Sequence, residues 1–72
     1  MNYAIEQRLR LIDFLLGHYG YVRREMLMDY YGISIAQASL DLKAYREKRP
    51  ENTHYDSSQK RWAKSSTFIR LY

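Results

Sequence analysis

The sequence predicts a mainly α-helical domain carrying a small β-hairpin, and three observations predict it. Apolar residues recur at helical spacing in three segments before Pro50. Gly32 and Ser34 punctuate the join between the second segment and the third. Beyond Pro50 the pattern changes to alternation on either side of a polar turn. A chain of 72 residues makes one small domain, of a size that buries only about 60% of the surface its unfolded form exposes. Its 46% hydrophobic content still suffices for a core.

The first helix is expected over about residues 3–19. Ile5, Leu9, Ile12 and Leu16 share one face, and Glu6, Arg10 and Asp13 mark the polar one. Leu11 and Phe14 point away from the main stripe, so the helix is apolar over more than half its circumference. Such a helix is either covered on two sides or offers a contact surface. Gly17 weakens its end, and Gly20 is placed to cap it.

The second helix, about 24–31, is short. Leu27 and Tyr31 lie one turn apart with Val22 in front of them, and Met26, Met28 and Tyr30 fill in as packing residues. Gly32 ends it. The third helix, about 35–48, opens at Ser34, which stands three residues before Gln37 in the spacing of a capping box. Ala38, Leu42 and Tyr45 form its inner face, with Ile35 near the edge. Ala36, Ser39, Leu40, Lys43 and Glu47 form its outer face, and Pro50 stops it. Thr53–Asp56 and Lys60–Lys64 then alternate around Asp56-Ser57-Ser58-Gln59, a hairpin over about 53–64. The apolar end, Phe68 to Tyr72, either packs back on the domain or leads onward.

Composition excludes several functions. The chain has no cysteine, so neither a disulfide scaffold nor a cysteine-based zinc finger is available. His18 and His54 are too far apart in sequence to suggest a metal site, and both read as surface or packing residues. No nucleophile–base arrangement is visible, so the expectation is no enzyme and no cofactor. Neither an apolar run of about 18–20 residues nor a secretory leader is present in the sequence, and the reading is a soluble intracellular module.

Charge is more informative. The net charge is +4, unevenly spread. Residues 1–42 carry four arginines against five carboxylates, whereas residues 43–72 carry eight basic residues against Glu47, Glu51 and Asp56. A basic half on a small domain points to a polyanion, because each cation near a phosphate releases a condensed counterion.

The segment Tyr30-Tyr31-Gly32-Ile33-Ser34 has the parts of a helix-turn-helix: a glycine for positive φ, an apolar plug and a cap for the next helix. With the hairpin as a wing, the arrangement is a winged helix-turn-helix. Its third helix would lie in the major groove of double-stranded DNA with its amino end toward base edges. Candidate DNA-binding residues follow. Gln37 bonds adenine bidentately or merely closes the capping box with Ser34. Ala36 and Ser39 are small enough for close approach. Leu40 contacts DNA or tucks under the wing, and Lys43 faces a phosphate. Arg23 and Arg24 stand where the second helix meets the backbone, with pairing of Arg24 to Asp29 or Glu25 as the alternative. Ser58, Lys60 and Arg61 belong to the wing turn. Asp41 is expected in an ion pair with an arginine, and Tyr45 and Trp62 in the core.

Several stretches also carry a family resemblance. They are Gly20-Tyr21-Val22-Arg23-Arg24, Tyr31-Gly32-Ile33-Ser34, Gln37 to Leu42, Tyr45, Pro50-Glu51-Asn52 and Tyr55 to Lys60. Together they resemble the N-terminal winged helix of WYL-domain transcription factors, most closely repressors associated with bacterial anti-phage defence of the BREX and CBASS types. More distantly, Ser34 to Leu42 is similar to DeoR-type winged helices, with Leu40 where an arginine is usual. Arg23 departs from the better helix cap, such as Asn, that the family often has there. The resemblance implies a sequence-specific repressor that occupies a promoter in the cytoplasm, at the nucleoid. A palindromic operator and a homodimer are the norm for such domains; the second apolar face of the first helix (Leu11, Phe14) and the apolar tail are the residues that offer a dimer contact, with the further C-terminal domain that the resemblance implies as the alternative. Ligand sensing lies in the family's WYL part and is not carried over. Two rival readings remain: a protein-docking module with its eight tyrosines as a sticky face, and a single-strand or RNA binder, which requires Trp62 and Tyr55 to be exposed.

Overall fold

The computed structural model describes residues 3–72. Helix α1 spans Tyr3–Tyr19, α2 Arg24–Tyr31 and α3 Ile35–Lys48. A single 3-10 turn over Pro50–Asn52 leads into strands β2 (Thr53–Asp56) and β3 (Arg61–Lys64). An additional strand, β1 (Tyr21–Val22), links α1 to α2. The expected two-stranded wing is formed by β2 and β3, and β1 adds a third strand that the sequence reading did not include, giving an antiparallel sheet ordered β1-β3-β2. Tyr21 pairs with Ala63 and Val22 with Trp62, while Tyr55 sits opposite Trp62 on the other side of β3. A two-residue strand is too short to show a period, which is why the sequence pattern does not announce it.

The joints follow from local chemistry. Gly20 and Gly32 both sit at positive φ, at 88° and 67°, where a side chain is costly. The amide of Gly32 donates to the Met28 carbonyl at 2.8 Å and closes α2. Ser34 caps α3, its Oγ accepting from the Gln37 amide at 3.1 Å. In the wing turn, Asp56 Oδ1 accepts from the Ser58 amide, the Ser58 hydroxyl and the Gln59 amide. The Ser58 hydroxyl contact, followed by that of the Gln59 amide, holds the Asp56 carboxyl below its ordinary range.

Leu9, Ile12 and Leu16 of α1 meet Val22, Leu27, Ala38, Leu42 and Tyr45 in a fully buried core. Two expectations for α1 need correction. Leu11 does not face away but packs half-buried against this core, leaving Phe14 outside, stacked on His18 at 5.3 Å. Asp13, expected on the polar face, is fully buried. It accepts from the Tyr45 hydroxyl at 2.6 Å, Arg70 Nε at 2.6 Å, and the amides of Leu71 and Tyr72. The C-terminal segment thus packs back as a strap across α1. Asn52 clasps the same strap at Ile69, donating to its carbonyl and accepting from its amide, while its Nδ2 also reaches the Tyr45 hydroxyl.

Candidate nucleic-acid interface

The site is built around α3. Its buried face, Ala38, Leu42 and Tyr45, anchors it, so the opposite face must point outward. Ser34, Ala36 and Lys43 are exposed, and Leu40 is 60% exposed and does not tuck under the wing. The amino end of α3 is thus open, with the positive end of the helix dipole facing solvent.

Gln37 departs from the capping-box expectation. Only its backbone amide engages Ser34; its side-chain Nε2 donates instead to Asp41 Oδ1 at 3.0 Å. Asp41 is held in turn by Arg8 of α1, as the expected ion pair, at 2.5 Å. An acceptor-only carboxylate one turn away, itself locked from α1, is a better partner for the amide than the Ser34 backbone.

A cleft of about 350 Å³ runs between the start of α2, the outer side of α3 and the wing. Arg23, Arg24, Arg46, Lys60 and Arg61 line it against the single carboxylate of Glu25, with Ser39 and Leu42 as its floor and Tyr55 and Trp62 as its wall. Arg24 is exposed and forms no ion pair among the described residues, with neither Asp29 nor Glu25. Lys60 adopts a positive φ of 54°, which turns the chain back into β3. Of the residues the sequence singled out, the cleft gathers Arg23, Arg24, Ser39, Lys60 and Arg61, while Ser34, Ala36, Gln37, Leu40 and Lys43 form the neighbouring α3 surface. Ser58 is set apart, its hydroxyl engaged by Asp56.

Sequence reasoning missed Arg46. Its guanidinium lies 4.1 Å above the Trp62 ring, which also meets Tyr55 edge-on at 5.0 Å. The signal was available: Arg46 follows Lys43 by three and Ser39 by seven, one helical face. Tyr55 is exposed, as a single-strand platform requires, but Trp62 is half-buried with a cation on its face, so only one of the two aromatics that reading needs is open. Among the described residues, no cluster of metal-ligating side chains occurs and no helix is long and apolar enough to cross a membrane.

Residues 4–72 match the model of the BrxR transcriptional regulator winged helix-turn-helix domain. The chain belongs to this family. Proteins described as DNA-binding transcriptional repressor CapW are similar to this BrxR-type domain. That of Escherichia coli (strain KTE188) is 40% identical over 67 residues, covering 93% of this chain and 22% of the relative. That of Pseudomonas aeruginosa is 36% identical over the same share of each chain. That of Stenotrophomonas maltophilia is 36% identical over 83% of this chain and 20% of the relative. The chain thus spans about a fifth of the length of the curated relatives it matches.

Proposed function

We propose that this domain binds double-stranded DNA sequence-specifically and represses transcription by occupying a promoter. One observation carries the reading: the open amino end of α3 adjoins a cleft where five cations face one carboxylate. In this arrangement α3 enters the major groove, with Ala36, Gln37, Ser39 and Leu40 toward base edges. Lys43, Arg23, Arg24, Lys60 and Arg61 take the flanking phosphates. The CapW relatives, described as DNA-binding transcriptional repressors, support the same assignment. No catalytic step is part of it. The protein works where the chromosome is, in the cytoplasm at the nucleoid.

A domain this small makes few contacts, so specific occupancy calls for two copies on a palindromic operator, their half-sites one or more helical turns apart. The outward Phe14 of α1 and the exposed Ile69 of the tail are offered for a dimer contact, since Leu11, Phe68, Leu71 and Tyr72 pack inward.

A gel shift with the DNA upstream of its own gene, against a scrambled duplex, at about 50 and 200 mM salt, tests the proposal. The expected result is preference for the upstream DNA and affinity that falls steeply with salt. Equal binding to both duplexes would instead favour a protein-docking role.

A further inference from the structure

The C-terminal strap and α3 share their anchors. Oδ1 of Asp13 accepts from the Leu71 amide at 3.0 Å and from the Tyr45 hydroxyl at 2.6 Å. Asn52 Nδ2 donates to the Ile69 carbonyl at 2.8 Å and to the same hydroxyl at 3.0 Å. The Tyr45 hydroxyl therefore donates to one strap-binding residue and accepts from the other, and all three side chains are sealed from solvent. Tyr45 is the last buried residue of α3. Its successor, Arg46, reaches across to Trp62 of β3. Asn52 stands immediately before β2, and its carbonyl accepts from the Ser65 amide, just beyond β3, at 2.9 Å. One small network thus pins the carboxyl half of α3 and the base of the wing. The strap supplies three of the four donors to its carboxylate.

Gly17 marks where the strap crosses α1. A Cβ there would lie 3.2 Å from Arg70 Cδ and 3.6 Å from the Phe68 ring. A larger residue at 17, one turn beyond Asp13 on the same helix face, competes with the strap for that space. The Arg10 guanidinium lies 4.7 Å over the Tyr72 ring and closes the far end. Once the strap lifts, Asp13 keeps one donor of four, and Asn52 loses both its bonds to Ile69. Both groups then turn toward water, and Tyr45 loses the fixed partners that set the end of α3. The amino half of α3 does not share this dependence, since Ser34, Ala38 and Leu42 hold it.

We propose that docking of the strap on α1 and binding of DNA by α3 are coupled through the Tyr45 hydroxyl, with Asp13 and Asn52 as the positioning residues. The coupling rests on the DNA-binding reading and adds a control to it. A docked strap holds α3 and the wing in the spacing that a duplex meets, and a lifted one does not. Coupled equilibria are reciprocal, so bound DNA in turn holds the strap down.

Gly17→Leu and Leu71→Ser lift the strap without changing the charge of the protein, the first by occupying its path and the second by removing a packed side chain. Tyr45→Phe cuts the relay and keeps the ring. Circular dichroism melts establish that each 72-residue variant is folded at the assay temperature. Amide exchange at positions 71 and 72, read by NMR, reports whether the strap has lifted. Affinity is then measured by the fluorescence anisotropy of labelled upstream and scrambled duplexes. Both strap variants should bind the upstream duplex about fivefold or more weakly than the wild type. The same substitutions should cost much less in a Tyr45→Phe background. In the wild type, saturating upstream duplex should slow exchange at 71 and 72 by about the factor that the strap variants lose in affinity. If the wild type prefers the upstream duplex but lifted variants match its affinity, or the duplex leaves the two amides unchanged, the coupling is refuted and the DNA-binding reading stands. An undiminished loss in the Tyr45→Phe background overturns the assignment to Asp13 and Asn52. Amides that stay protected in both strap variants show a strap that does not move as a unit, which also overturns the coupling. A wild type without preference between the duplexes removes both readings.

Discussion

Replacing Asp13 with alanine is the most severe single perturbation this fold offers outside its apolar core. The carboxylate is fully buried and takes four donors. Their losses are unequal. Arg70 is half exposed, so its guanidinium returns to water at little cost, under about 1 kcal/mol. The amides of Leu71 and Tyr72 also regain water once the strap lifts. The Tyr45 hydroxyl cannot, because it is sealed in the core; an orphaned buried donor costs about 1–3 kcal/mol. Release of the strap also uncovers Phe68 and Leu71, which pack on the core, at a cost of about 1–2 kcal/mol. The total, about 2–6 kcal/mol, is a large part of the roughly 4–11 kcal/mol expected for a domain of this size. Thermal unfolding by far-ultraviolet circular dichroism should show Tm lowered by about 10 °C or more, whereas Arg70→Ala should lower it by only a few degrees. An Asp13→Ala melt within about 5 °C of wild type, or an equal effect from Arg70→Ala, would sink the hub argument. Acid titration adds a second check. Burial pushes the Asp13 carboxyl up, but the Leu71 amide, the Tyr45 hydroxyl, Arg70 and the Tyr72 amide together pull it below its ordinary 3.8. A depressed folded-state value contributes stability above the unfolded pKa and loses it as pH falls through the folded one. The gap between wild type and Asp13→Ala should therefore narrow below about pH 4.

Smaller perturbations separate scaffold from interface. Gly32→Ala places a Cβ in open space but at a φ of 67°, so it should cost about 1–2 kcal/mol from backbone conformation alone, read in urea unfolding. Ser34→Ala removes the α3 cap and should cost about 1 kcal/mol in the same assay. Gln37→Ala should relax preference by about 1–3 kcal/mol at one base pair in a binding-site selection, while preference left intact would reduce Gln37 to a structural role. Lys43→Ala should weaken all duplexes alike and lower the slope of log affinity against log salt by about one, unlike a base-reading residue.

The parts of the fold legible in the sequence are those set by local chemistry. The left-handed glycine at 32, the serine cap at 34 and the 3.6-residue stripes of α1 and α3 each act within a few residues, so the pattern carries them. Asp13 shows the limit. A carboxylate on a polar-looking stripe reads as solvated, and only the returning strap, more than fifty residues later, supplies the donors that make its burial tolerable. β1 is a similar case, since two residues become a strand only because β3 arrives beside them. For the candidate site, the sequence pointed to the exposed α3 residues and to four of the five cations that line the cleft. It did not expose the aromatic surfaces that orient the arginines, since Tyr21 and Trp62 come together with Arg61 and Arg46 only through the register of the sheet.

That same long-range placement bears on Gln37, where capping and base reading look like competing uses of one side chain. The competition disappears once the partners are assigned. Ser34 takes the backbone amide of Gln37, not its side chain. Asp41 can only accept, which orients the side-chain amide with Nε2 toward it and Oε1 away. The Nε2 group carries two hydrogens, and Asp41 uses one. A bidentate grip on adenine needs one N–H and one carbonyl oxygen, and that is the set left over. Arg8 holds Asp41 from α1, so the orientation is imposed by the scaffold before DNA arrives. A long flexible side chain ordinarily loses much of its rotamer entropy on docking; here part of that loss is incurred on folding. In the proposed binding mode the chain Arg8–Asp41–Gln37 supports recognition rather than competing with it, because the helix that buries Leu9, Ile12 and Leu16 fixes the orientation of the Gln37 side chain.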